Sequence, residues 1–225
     1  MSLIELKSVS KIYPLGNQQV VAVANLSLKI KAGEFTVLAG PSGSGKTTLL
    51  NLIGCLDQPS EGEVWLDGHN VGKEEAKQLA KLRLNKIGFI FQSYNLIPVL
   101  TAAENAEFTL MLLGIDKVKR RQRIVELFAE LGLQGLEDRN PSDLSGGQQQ
   151  RVAIARAMAA QPAVILADEP TASLDLQTSE DLLALMQRLN ETQGVTFVFS
   201  SHDPLVISHA RRVVSLRDGC LESDR

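Results

Sequence analysis

The chain opens with two stretches in which apolar and polar positions alternate, residues 3–9 and 20–30, the second running through Val21, Val23, Leu26, Leu28 and Ile30. A period of two places successive side chains on opposite faces of a strand, so both stretches are predicted as strands of an antiparallel layer, with Ala32-Gly33 as the closing turn. The apolar run Phe35 to Ala39 predicts a buried strand, followed by a helix to about Leu56. A short strand, Glu63 to Leu66, lies between the turn signals Asp57–Gly62 and Asp67-Gly68, and Ile87 to Phe91 reads as another buried strand. From Thr101 to Leu133 the period becomes helical, with Ile124, Val125, Leu127, Phe128 and Leu131 expected on one face. Strand-like runs return at Ala163 to Ala167, Val195 to Ser200 and Val213 to Leu216, alternating with helical patterns near 146–160, 178–193 and 204–210. That alternation predicts an α/β fold: a mostly parallel sheet core, an antiparallel β layer and an α-helical insertion.

Bulk properties narrow the picture only a little. At 225 residues and 44% hydrophobic the chain has enough apolar surface for a sizeable core. The formal net charge of −3, from 23 basic and 26 acidic residues, asks for neither nucleic acid nor an anionic membrane as partner. The basic run Lys117, Lys119, Arg120, Arg121, Arg123 has no interleaved aromatic residues and reads as the solvated face of an amphipathic helix. Cys55 and Cys220 lie far apart without zinc-ligand spacing, which suits a reducing compartment. No window approaches the roughly 18 consecutive apolar residues of a membrane span, and Glu5 and Lys7 interrupt any signal-like pattern, so a cytoplasmic protein is expected.

Chemistry enters at Gly40-Pro41-Ser42-Gly43-Ser44-Gly45-Lys46-Thr47-Thr48, which fits the phosphate-binding pattern G-x-x-x-x-G-K-[ST] directly after a predicted strand. Glycines let backbone N–H groups wrap phosphates, Lys46 reaches the terminal phosphates, and the Thr47 hydroxyl can ligate Mg²⁺. This predicts nucleoside triphosphate binding and leaves kinases, GTPases, helicases and transport motors open. Val164-Ile165-Leu166-Ala167-Asp168-Glu169 is an apolar strand ending in two carboxylates. Asp168 suits the metal and Glu169 the base that deprotonates an attacking water.

Leu144-Ser145-Gly146-Gly147-Gln148, ahead of a helical pattern containing Arg151 and Arg156, narrows the class. With this element the sequence resembles the ATP-binding-cassette (ABC) ATPases, essentially along its whole length. The resemblance implies the P-loop NTPase ABC ATPase fold in one domain, 1–225, with a nucleotide-binding core at 1–91 and 160–225 and a helical subdomain at 92–159. It implies ATP and Mg²⁺ as ligands and a homodimer in which Ser145, Gly146, Gly147 and Gln148 face the other subunit's nucleotide. It further implies that Tyr13 stacks on adenine, Gln92 touches Mg²⁺ and the attacking water, Asp175 lies in the loop crossing the dimer interface, and the His202 imidazole hydrogen-bonds the γ-phosphate.

The segment Gln92 to Asn105, Tyr13-Pro-Leu-Gly16, Asn51 to Asp57 and Leu216-Arg-Asp-Gly219 are similar to the lipoprotein-releasing and macrolide-exporter class. In that class the ATPase sits on the inner face of the cell membrane and grips an integral membrane permease with few spans and a large extracytoplasmic domain. Tyr94 to Leu100 is expected to edge the groove for a helix of that partner. Ala172-Ser173 and Ser200-Ser201 depart from the more usual Gly-Asn and Val-Thr of the class; neither removes a reacting group, so hydrolysis is expected to survive. The alternative implied by the same resemblance is a non-transport ABC ATPase that regulates cell-wall hydrolases in cell division.

Overall fold

A computed structural model of the chain describes residues 2–16 and 18–225. The alternating N-terminal stretches form β1 (Ser2–Leu15) and β2 (Gln18–Lys31), paired antiparallel with Ile4 opposite Ile30 and Tyr13 opposite Val20. Next come β3 (Phe35–Ala39), α1 (Lys46–Ile53), β4 (Glu61–Leu66), β5 (His69–Asn70), α2 (Ala76–Lys86) and β6 (Ile87–Ile90). The helical stretch is α3 (Ala102–Leu112), α4 (Lys117–Leu131) and α5 (Gly146–Ala159). The chain ends with β7 (Val164–Asp168), α6 (Leu176–Gln193), β8 (Phe197–Ser201), α7 (Pro204–Ser208), β9 (Arg212–Arg217) and β10 (Cys220–Asp224).

Two sheets result, one antiparallel in the order β2-β1-β4-β5, the other in the order β10-β9-β3-β8-β7-β6 and parallel except for β10. The inner strands β3, β7 and β8 are mostly apolar because both of their faces are buried, whereas the edge strand β10 is exposed. Phe35, Val37, Ile165, Ala167, Phe197 and Phe199 face a core completed by α3 to α6. Their alternates Leu38, Val164, Leu166 and Val198 face a second core shared with α1 and the antiparallel sheet. The parallel run β3, β8, β7, β6 therefore brings four carboxyl ends to one edge, where α/β sheets bind ligands.

Several sequence expectations shift. The helical stretch from Thr101 breaks at Gly114, whose φ of 74° no ordinary side chain adopts readily. Each new helix is separately capped: Thr101 and Glu104 form a capping box, Asp116 caps α4, and Gly132 at φ 68° ends it. Val125, expected on the buried face, is 49% exposed, because Ile124, Leu127, Phe128 and Leu131 already fill the interface. The helix α1 stops at Ile53, short of the expected Leu56. The cause is packing: a Cβ on Gly54 would lie 2.7 Å from the Phe89 ring, and Cys55 follows at φ 56°. Neither α2 nor β10 was signalled, since α2 buries only Leu79 and Leu82 and every residue of β10 is exposed.

Candidate functional site

The phosphate loop leaves the carboxyl end of β3 and runs into the N-terminus of α1. Its glycines are required by space as well as by torsion. A Cβ on Gly40 (φ 152°) would sit 2.3 Å from the Leu216 carbonyl oxygen, and one on Gly45 (φ 96°) 2.3 Å from that of Ala22. The loop is braced from outside: Gly219 N–H donates to the Ser44 carbonyl and Ala24 N–H to the Gly219 carbonyl. The hairpin between β9 and β10 thus clamps loop and β2 together.

What the loop presents is an uncompensated positive site. The helix α1 has no side-chain cap and no acid in its first turn, and its first main-chain bond is Leu49 N–H to Gly45 O at 2.8 Å. The preceding N–H groups have no intrahelical acceptor and sit at the positive end of the helix dipole. Lys46, 7% exposed, donates to the carbonyls of Gly40 (2.7 Å) and Pro41 (2.9 Å), and among the described residues it makes no ion pair with a carboxylate. The Ser44 hydroxyl is buried without a partner. A buried cation served by neutral carbonyls, an open helix N-terminus and an orphaned hydroxyl fit a polyphosphate.

Opposite the loop, β7 delivers the two carboxylates. The Thr47 hydroxyl donates to Asp168 Oδ1 at 3.3 Å, so the two expected metal residues converge from separate elements. No cluster of three or more acidic, His or Cys ligands exists among the described residues. The two converging oxygen ligands, Thr47 and Asp168, suit Mg²⁺, which takes one or two protein ligands and completes its shell with phosphate and water.

Glu169 adopts φ 45°, a left-handed conformation costly for a residue with a Cβ. Both of its oxygens are engaged by the end of β8: Ser201 Oγ donates to Oε2 at 2.8 Å, and His202 Nδ1 lies 2.7 Å from Oε1. An ionised carboxylate has no hydrogen to give, so in that pairing the hydrogen is carried by Nδ1. His202 is 61% exposed at its side chain and faces Glu169 in this conformation. Ser201 is a functional neighbour that sequence reasoning noted only as a departure from the usual threonine, whose hydroxyl would serve equally.

The remaining expected residues fall into two groups. Ser145 caps α5 and exchanges both bonds of a capping box with Gln148. Among the described residues neither hydrogen-bonds to the phosphate loop of its own chain. Gly146 and Gly147 are held tightly: a Cβ on Gly146 would lie 2.8 Å from the Tyr94 hydroxyl, and one on Gly147 2.5 Å from Thr178 Cγ2. Asp175 caps α6 through Thr178, whose hydroxyl and N–H hold its carboxyl below the usual range. Gln92 is exposed at the end of β6, and its carbonyl accepts from Ser173 Oγ at 3.3 Å. Tyr13 lies on β1, its phenol pushed up by burial and by a hydrogen bond to Asp57.

Two bracing residues emerged only with the structure. Arg156, its guanidinium lowered by burial, donates to the carbonyls of Tyr94 (2.8 Å) and Asn95 (2.5 Å), both left-handed at φ 58° and 50°. Gln150, fully buried on α5, donates to the Pro170 carbonyl at 2.6 Å, next to Glu169.

Residues 23–172 match the sequence profile of the family described as ABC transporter. The chain is 47% identical, over 99% of its length and 96% of the relative's, to an uncharacterized ABC transporter ATP-binding protein, MJ0796, of Methanocaldococcus jannaschii. It is also 47% identical to the macrolide export ATP-binding/permease protein MacB of Syntrophobacter fumaroxidans, but there it spans only 32% of the relative's length. A solved dimeric structure of the MJ0796 cassette in a post-hydrolysis state bound to ADP and Pi superposes with a TM-score of 0.90 at 45% identity, covering 99% of this chain and 97% of that one. Fold, phosphate loop, paired carboxylates and profile agree that the chain belongs to the ABC transporter family, as an ATPase of its ATP-binding cassette class.

Proposed function

We propose that the chain is the ATP-hydrolysing motor of a membrane transporter and works as a homodimer around two Mg²⁺·ATP. The observation that carries the catalytic reading is the convergence of Thr47 and Asp168, with Glu169 next in sequence and held by Ser201 and His202. Thr47, Asp168 and Gln92 would hold Mg²⁺, which offsets phosphate charge and fixes the γ-phosphoryl group for in-line attack. Lys46 and the α1 N-terminus bind and orient the phosphates. Glu169 accepts the proton of the attacking water; its bonds from Ser201 and His202 keep the carboxylate aimed until then.

The dimer reading is supported by the α5 N-terminus. Ser145 has an acceptor lone pair committed to Gln148 N–H and a hydroxyl hydrogen free to donate, a second anion site without an anion-binding partner in its own chain. Dimeric structures of the MJ0796 cassette point the same way.

For the membrane partner, a groove of about 380 Å³ supplies the argument, walled by Leu56, Arg83, Phe89, Phe91, Asn95 and Arg156. Its apolar floor and two guanidinium groups suit a short amphipathic helix bearing a carboxylate. Of the segment Tyr94 to Leu100, Asn95 borders the groove, Leu96 packs on the core and Val99 is 86% exposed, so Asn95 is the part of the segment that edges the groove. The partner class we favour is a permease with few spans and a large extracytoplasmic domain, on the likeness to permease-fused MacB relatives. Among the described residues no helix is long and apolar enough to cross a membrane; attachment to the inner membrane face through that partner is proposed on the same likeness.

Glu169→Gln tests the reading. The variant is expected to bind ATP, dimerise stably and lose turnover, and tagged variant held in ATP should copurify a few-span membrane protein from detergent-solubilised membranes. Near-normal hydrolysis removes Glu169 from the base role; recovery of a many-span permease or of soluble proteins alone overturns the partner class.

A further inference from the structure

Tyr13 does not stand free on β1. Its hydroxyl donates to Asp57 Oδ2 at 2.8 Å, across 44 residues of sequence. Asp57 Oδ1 takes the Lys11 ammonium at 2.6 Å and its own neighbour's N–H, from Gln58, at 2.7 Å. Lys11 Nζ also donates to the Gln58 carbonyl at 2.8 Å and lies 4.9 Å from the centroid of the Tyr13 ring. The cluster is partly enclosed, with 13% of the Lys11 and 30% of the Asp57 side chain exposed.

Each contact removes one freedom of the ring. The phenol–carboxylate bond fixes the distal end of the side chain, and the ammonium occupies one face, leaving the other face for a ligand. The anchor itself is tied to the phosphate-loop helix, because the N–H groups of Leu56 and Asp57 both donate to the Asn51 carbonyl at the last turns of α1. The ring is therefore registered to the element that binds the phosphates. A hairpin strand such as β1, with 14 residues and several register shifts against β2, gives no such registration by itself.

We propose that Asp57, with Lys11, is a positioning residue for the nucleotide base, holding the Tyr13 ring in one orientation and in fixed register with the phosphate loop. This rests on Tyr13 stacking on the adenine. A pre-set ring binds the base without first losing rotamer freedom, so the contribution appears in nucleotide affinity and not in the chemical step.

The test is steady-state ATPase kinetics of the full chain, with inorganic tripolyphosphate as a competitive inhibitor that carries no base. Asp57→Ala is expected to raise KM for ATP about five- to tenfold, within the range of one base–aromatic stacking contact. The inhibition constant of tripolyphosphate should stay unchanged. Tyr13→Phe, which keeps the ring and loses the hydroxyl, should give a similar rise, and adding Asp57→Ala to it should give little more. Asp57→Asn keeps an acceptor and should recover part of the loss. If Tyr13→Ala raises KM but Tyr13→Phe and Asp57→Ala do not, the positioning role is overturned and stacking stands. If Tyr13→Ala itself leaves KM unchanged, the stacking reading fails. Equal loss of ATP and tripolyphosphate binding in Asp57→Ala makes the cluster a structural clip and overturns the proposal; should Asp57→Ala not fold, Tyr13→Phe alone decides between the same outcomes.

Discussion

Gly43 and Gly45 lie two residues apart in the phosphate loop, both at positive φ, 80° and 96°, yet their surroundings differ completely. A Cβ on Gly43 meets nothing within 4 Å, whereas one on Gly45 lies 2.3 Å from the Ala22 carbonyl oxygen. Gly43→Ala carries only the torsional cost of an L-residue in left-handed backbone, about 1–2 kcal/mol. At roughly 2–4 °C per kcal/mol for a chain of this size, the nucleotide-free protein should melt about 3–6 °C lower. Gly45→Ala has that cost and a clash as well. The oxygen is about 1.1 Å inside the 3.4 Å at which ordinary contact begins, and it belongs to strand backbone that cannot swing aside. Forced displacement of packed structure costs a further 1–3 kcal/mol or so, which places the melt about 6–15 °C below wild type. Because the N–H groups must move with the clash, ATP affinity should fall by at least about tenfold in Gly45→Ala and much less in Gly43→Ala. Differential scanning calorimetry without nucleotide and equilibrium ATP binding read the two effects separately. Equal melting temperatures for the two variants would refute the argument, since only the contact with Ala22 distinguishes them.

Arg212 offers a prediction in pH. It pairs with Glu34 (2.7 Å) and with both oxygens of Asp224, and its hydrogen bonds hold the Asp224 carboxyl below the ordinary 3.8. A carboxyl lowered in the folded state stabilises fully above its unfolded value and loses that contribution as pH falls through the folded one. The stability gap between wild type and Arg212→Met in urea titrations should therefore be full at about pH 6 and narrow below about pH 4; a gap constant down to about pH 3 would count against the pairing. The thiols give a further check. Burial pushes Cys55 up to about 11, while Cys220 is exposed, so alkylation at about pH 8 should modify Cys220 alone in the native protein and both in denaturant. Modification of Cys55 in the folded protein at a comparable rate would contradict its place in the core.

The parts of the fold legible in sequence were those where one period or one motif decides. Phe35 to Ala39 could be delimited to the residue because a strand buried on both faces is mostly apolar, Thr36 apart, and the glycine loop marks its end. Gly40 to Thr47, Asp168 and Glu169 were legible because polyphosphate chemistry fixes residue type and spacing together. What escaped was decided across the chain. Nothing local to Asp57 announces that it meets Tyr13, and nothing in α5 announces that Arg156 and Gln150 turn inward to main-chain carbonyls. Val125 was misplaced for a related reason: it lies at the margin of an apolar stripe, and the facing helices, not the periodicity, set the stripe's width.

Tyr94 and Asn95 stand consecutively in left-handed backbone, at a cost of order 1–3 kcal/mol each, and Arg156 on α5 holds both carbonyls. The Tyr94 hydroxyl donates to the Ser173 carbonyl at 3.4 Å and fills the space beside Gly146. The segment therefore works as a splice: one guanidinium and one phenol tie the wall of the groove to the start of α5. On the proposed function, a partner seated beside Asn95 and an anion at Gly146 would touch the same spliced segment, and any coupling between them would be equal in both directions.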